Sequence, residues 1–182
     1  MGLAIGLVEF ANVTKGIEGT DAMVKAADVE LLLARPTCPG KFTTMVSGDV
    51  GAVKSSIAAG TAAGAEAVVD EFVLPNVHPG VFPAITATSD VREVKALGVI
   101  ETFTVASAIV AADAALKAAA VDAIELRLAI GLGGKCFVTL TGDVGAVQAA
   151  VSAGSADASA RGLLVSQVVI PSPAKELVAA LL

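Results

Sequence analysis

The 182-residue chain has no tryptophan, no tyrosine, one histidine and two cysteines, and only 16% of its residues are charged. Each shortage excludes something. Cys38 and Cys136 are too few for a disulfide framework and lack the spacing of a metal finger. One histidine, His78, leaves no partner for a His-based metal site or relay. A net charge of −6 without a basic, aromatic patch argues against nucleic acid. Long apolar runs are also missing: the best stretch, Val105 to Leu116, is broken by Ser107 and Asp113, well short of the roughly 18 residues a membrane span needs. The start, MGLAIGLVEF, lacks a basic n-region, meets Glu9 early and has Gly6 where a myristoylation signal wants Ser or Thr. The expectation is a cytoplasmic protein with no membrane segment.

What is abundant is apolar. Hydrophobic residues make up 55% of the chain and mean hydropathy is +0.79. So much apolar surface with so little charge predicts that other subunits cover part of it.

The chain is also internally repeated. Ala4-Ile5-Gly6-Leu7-Val8-Glu9 aligns with Ala96-Leu97-Gly98-Val99-Ile100-Glu101 at an offset of 96 − 4 = 92, which also carries Asp21-Ala22-Met23-Val24-Lys25 onto Asp113-Ala114-Ala115-Leu116-Lys117. Gly48-Asp49-Val50-Gly51-Ala52-Val53 recurs letter for letter from Gly142, at 142 − 48 = 94. Val73-Leu74-Pro75 matches Val169-Ile170-Pro171 at 171 − 75 = 96. Conserved order with length changes confined to the gaps is the mark of duplication. We divide the chain into domains 1–88 and 96–182 with a linker at 89–95.

Periodicity gives each copy the same elements. In the first, Ala4 to Phe10 predicts a strand, followed by a helix ending near Ala27. Glu30 to Arg35 and Lys41 to Ser47 predict two more strands, joined by Pro36-Thr37-Cys38-Pro39-Gly40. Asp49 is expected to cap an Ala-rich helix to about Gly64. Val68 to Leu74 adds a strand and Pro79 to Ile85 a short helix. The class is an α/β (α+β) sandwich, helices against a sheet, in two tandem copies.

These blocks resemble the bacterial microcompartment shell domain: the G-x-[LV]-[EI]-E start, the D-A-x-x-K helix, the turn ending in Gly-Lys, the G-D-V-x-A-V helix start and the closing [LI]-P. Two fused copies resemble the tandem-domain shell proteins, and Thr37-Cys38-Pro39-Gly40-Lys41 is most similar to the T type of propanediol utilisation. The resemblance implies a homotrimer forming a pseudohexameric tile with a central pore, packed edge to edge with other shell proteins. It also implies a 4Fe-4S cluster in that pore, one per trimer, and electron exchange with an encapsulated or cytosolic redox enzyme.

Under that resemblance Cys38 is the metal ligand, since three copies about an axis supply three thiolates. The bland alternative is a free cysteine in a loop. The implied pore lining is Thr37, Pro39, Gly40 and Lys41 from one copy and Gly131, Leu132 and Gly133 from the other, where Leu132 falls opposite Cys38 and cannot bind iron. A phosphate loop in GLGGK is excluded, because Ala129 and Cys136 stand where Gly and Ser or Thr are required. Cys136 reads as a small buried hydrophobe.

Lys25 and Lys117 each follow an Asp by four residues and read locally as helical ion pairs. The resemblance makes them tile-edge contacts, together with Asn76, His78 and Ser172. Asn76 and Ser172 follow the closing prolines, where the family usually has an arginine. His78 reads as a capping or edge residue, and Glu9 and Glu101 as structural because both copies keep them. No enzyme constellation emerges. The alternatives to a redox tile are a tile whose pore conducts or gates metabolites and, from another class, a soluble iron-sulfur carrier.

Overall fold

A computed structural model describes residues 4–181. They form two compact units, dividing between Val77 and His78.

In unit 1, β1 (Ala4–Phe10) is followed by α1 (Val13–Ala26), β2 (Glu30–Thr37), β3 (Lys41–Gly48), α2 (Val50–Gly64) and β4 (Val68–Leu74). The sheet order is β2-β3-β1-β4, with every neighbouring pair antiparallel. α1 and α2 pack on each other and against this sheet. The core is Ala4, Val8 and Phe10 of β1, Phe42 and Val46 of β3, Met23 of α1, and Val53 and Ile57 of α2. The alternation Ala4, Gly6, Val8, Phe10 is the period of two that turns one strand face to the helices. Gly6 permits α2 to approach β1 closely, since a Cβ there would lie 2.6 Å from Val53 Cγ1.

Unit 2 repeats the plan with β5 (Ala96–Thr102), α4 (Val105–Ala118), β6 (Val121–Leu128), β7 (Cys136–Gly142), α5 (Val144–Ala160) and β8 (Leu164–Ile170), in order β6-β7-β5-β8. Even the irregularities recur. The β1–β4 register slips at Glu9/Phe10 and the β5–β8 register at Glu101/Thr102; the β2–β3 slip at Leu31/Leu33 returns in β6–β7 at Ala123/Glu125. Asn12 caps α1 by accepting the Lys15 N–H at 2.9 Å, and Thr104 caps α4 through Ser107 at 3.2 Å.

Three details depart from expectation. Asp49 occupies the N-cap position of α2 but makes no side-chain capping bond, and Asp143 does the same at α5. There the backbone alone turns the chain into the helix. The second length change falls at the end of α5, which has 17 residues against 15 in α2. The short helix predicted to end the first copy, α3 (Val81–Thr86), belongs to unit 2, where it packs on β6 and α4. The compact boundary therefore precedes the repeat boundary at 88, because a chain segment joins the sheet it buries against.

Candidate pore loops and edge residues

The β2–β3 connection is a tight hairpin. Thr37 pairs with Lys41, leaving Cys38-Pro39-Gly40 as the loop. The Gly40 N–H donates to Thr37 O at 3.0 Å around a cis Cys38–Pro39 bond, the arrangement of a type VI turn. Gly40 closes it at φ 87°, which favours glycine. Below the turn, the buried Thr37 and Thr43 hydroxyls share a 2.9 Å hydrogen bond. Pro39 and Gly40 are exposed, and Cys38 is a half-buried free thiol. Lys41, at the foot of β3, donates to the nearly buried Glu9 at 2.9 Å.

The matching connection in unit 2 is two residues longer. Pro36 pairs with Phe42 across five residues, whereas Leu128 pairs with Cys136 across seven, 129–135. The first insertion thus lies in the glycine-rich stretch, as the offsets indicated. Ala129, Gly131, Gly133 and Gly134 all have positive φ. Gly131 and Gly133 are exposed and Leu132 is half-buried, its carbonyl accepting the Lys135 N–H at 3.1 Å. Lys135 reaches Glu101 at 2.8 Å. The Lys41–Glu9 pair is thereby reproduced, which explains a glutamate at the same strand end of each copy. Sequence reasoning named both glutamates structural but missed their partners, although a Gly-Lys closing each loop was the available signal.

Cys136 is buried at the start of β7 with its Sγ 3.9 Å from Gly134 O, as a small core residue should be. Among the described residues, no group of three or more His, Cys, Asp or Glu side chains is placed to hold a metal.

The two Asp-Lys pairs form as predicted, each at 2.6 Å, but their surroundings differ. Lys25–Asp21 lies in solvent, whereas the Asp113 side chain is only 8% exposed and also accepts the His78 N–H at 2.7 Å. His78 Nδ1 in turn accepts the Gly80 N–H at 3.2 Å, in the turn that leads into α3. Asn76 is exposed with φ 53°, and Ser172 is exposed. Asp113→Ala strands the part-buried His78 N–H and should cost about 1–2 kcal/mol, while Asp21→Ala, breaking a solvated pair, should stay within about 0.5 kcal/mol. Urea denaturation of both variants checks the contrast; equal losses contradict it.

The copies also differ beside the loops. Arg127 pairs with Glu125 at 2.7 Å and lies over the Phe137 ring, 5.5 Å from its centre. In the first copy Leu33 and Thr43 stand at the positions of Glu125 and Phe137, the Nε of the counterpart Arg35 is buried without a bond, and burial lowers its pKa.

The model of the BMC domain matches twice, at residues 4–77 and 96–173. The chain belongs to the bacterial microcompartment shell family. It is 46% identical to the shell protein PduT of Citrobacter freundii, over 95% of this chain and 94% of that one. A crystal structure of a microcompartments protein from Desulfitobacterium hafniense superposes with a TM-score of 0.96 at 54% identity, covering 98% of this chain and 99% of the other. At 24% identity and a TM-score of 0.63, the fused permuted hexameric shell protein MSM0275 of the RMM microcompartment shares the fold, over 87% of this chain and 84% of its own. The chain is thus a tandem-BMC shell protein similar to PduT, and no helix among the described residues is long and apolar enough to cross a membrane.

Proposed function

We propose that three copies of this shell protein form a pseudohexameric tile whose pore is lined by loops 37–41 and 129–135. Cys38 of each copy holds one 4Fe-4S cluster there, for electron transfer across the shell. The observation that carries this reading is Cys38 itself: a half-buried free thiol at the tip of a tight hairpin, with no partner from its own fold. Its donor chemistry suits iron-sulfur binding, since thiolates are the usual ligands. One chain presents one such thiol, because the equivalent loop carries Leu132 instead. A cluster therefore requires threefold assembly and leaves one iron to an outside ligand.

When bound, the cluster supplies one-electron redox chemistry. The chain's own residues hold the geometry. The turn around Pro39 and the Thr37–Thr43 bond fix the thiol, while Glu9 engages the Lys41 ammonium near it. The test is anaerobic purification followed by iron, sulfide and absorbance measurements. A visible chromophore bleached by dithionite is expected. A colourless trimer without iron supports the second reading, a pore that passes or gates metabolites.

A further inference from the structure

Loop 129–135 has an unusual composition for a turn in water. Residues 129–134 read Ala-Ile-Gly-Leu-Gly-Gly, without one polar side chain before Lys135. Exposed turns ordinarily draw on Asn, Asp and Ser, whose side chains bond the backbone, and Asn and Asp tolerate positive φ. Here Ala129 holds φ 53°, and glycines fill the other positive-φ positions. Ile130 is nonetheless 45% exposed and Leu132 only half-buried, so two aliphatic side chains stand incompletely covered by their own chain. A Cβ at Gly131 or Gly133 would meet no atom within 4 Å, so packing inside the chain does not demand glycine at either position.

The repeat fixes where these side chains fall. Counting back from Lys135, the match of Lys41, puts Leu132 at Cys38; counting forward from Leu128, the match of Pro36, puts Ile130 there. By either count a large aliphatic residue stands where the first copy has its thiol. A ring of three duplicated chains alternates the two loops, which gives every Cys38 an aliphatic loop on each side. The loop is also anchored: Lys135 pairs with Glu101 at 2.8 Å, and its N–H donates to Leu132 O at 3.1 Å.

We propose that Leu132, with Ile130 beside it, forms an apolar collar between the Cys38 thiols that keeps water and dissolved oxidants from them. Resting on the tile reading, the collar gives the second copy's loop a part in the redox site. An apolar shell around a metal centre controls solvent access and local dielectric, and through them the potential. Excluding water disfavours the more negatively charged, reduced form of a cluster, so the collar holds the potential low.

The test compares trimers of wild type, Leu132→Ser and Leu132→Met, with Leu132→Ala taking the place of the serine variant if that one does not assemble. In trimers freed of iron by chelation under argon, alkylation of Cys38 by iodoacetamide is followed by peptide mass spectrometry. It should run several-fold faster in Leu132→Ser and return near the wild-type rate in Leu132→Met. Cys136, 0% exposed at the start of β7, is the unreactive internal reference. In iron-loaded trimers, Leu132→Ser should keep its iron, bleach several-fold faster in air and titrate at a more positive potential. Iron-loaded trimers whose bleaching and potential are indifferent to residue 132, or alkylation rates equal in all variants, overturn the collar and leave the cluster standing. Wild-type trimers that take up no iron, yet whose Cys38 is unmasked by Leu132→Ser, overturn the cluster and keep the collar. A wild-type chain that stays monomeric overturns both.

Discussion

Cys38→Ser protein purified without oxygen is expected to be colourless and free of iron and sulfide, yet to elute at the same size as the wild type. The substitution exchanges sulfur for oxygen in a side chain that contacts no catalytic machinery and occupies the tip of a hairpin. The fold below the turn depends on the Thr37–Thr43 bond, the Lys41–Glu9 pair and the β2–β3 ladder, none of which involves the thiol. Serine is not a usual ligand for a cluster, so losing three thiolates at once removes the site rather than weakening it. A Cys136→Ala variant is the control: Cys136 is buried on β7, so its loss should trim a little packing and leave the colour. Retained iron in Cys38→Ser protein, or lost iron in Cys136→Ala protein at unchanged size, would sink the assignment.

The second large effect is on assembly. Lys25→Ala combined with Lys117→Ala should abolish extended sheets while trimers persist. Lys25 projects into solvent with its ammonium held by Asp21, a pair worth a few tenths of a kcal/mol, roughly 0.2–0.5, to its own helix. A long apolar stem with a charged head suits packing against a neighbouring tile. Lys117 is half-exposed and its partner is buried, so its removal also costs some stability through Asp113. A slightly lowered melting temperature with trimers intact is therefore expected. Electron microscopy of both proteins at matched concentration decides the matter. Sheets formed as readily as by wild type would remove both lysines from the tile edge.

Much of this was legible in the sequence because it is written locally. The offset blocks located both copies, the period-two runs gave β1 to β4 their places, and the change from 92 to 94 placed two extra residues in a glycine-rich loop, where the β6–β7 connection has them. The hairpin at Thr37-Cys38-Pro39-Gly40 followed from its turn residues alone. What escaped depends on tertiary neighbours. Asp21 and Asp113 lie in one motif, D-A-x-x-K, and nothing in that motif distinguishes an exposed carboxylate from a buried one; the cover over α4 comes from residues 78–86, which precede it. The same segment was assigned to the first copy by the repeat, yet packs in unit 2. Lys41 and Glu9 are 32 residues apart, so only the β1–β3 ladder brings them together. Asp49 shows the reverse, a residue with the right side chain for a cap whose position is capped by backbone geometry alone.

Native mass spectrometry of the anaerobically purified protein, with iron counted on the same sample, tests the cluster and the trimer together. A particle of three chains carrying the mass of a single cluster is expected, about four iron atoms per trimer. Iron on a single chain, or three chains with the mass of protein alone, would contradict it.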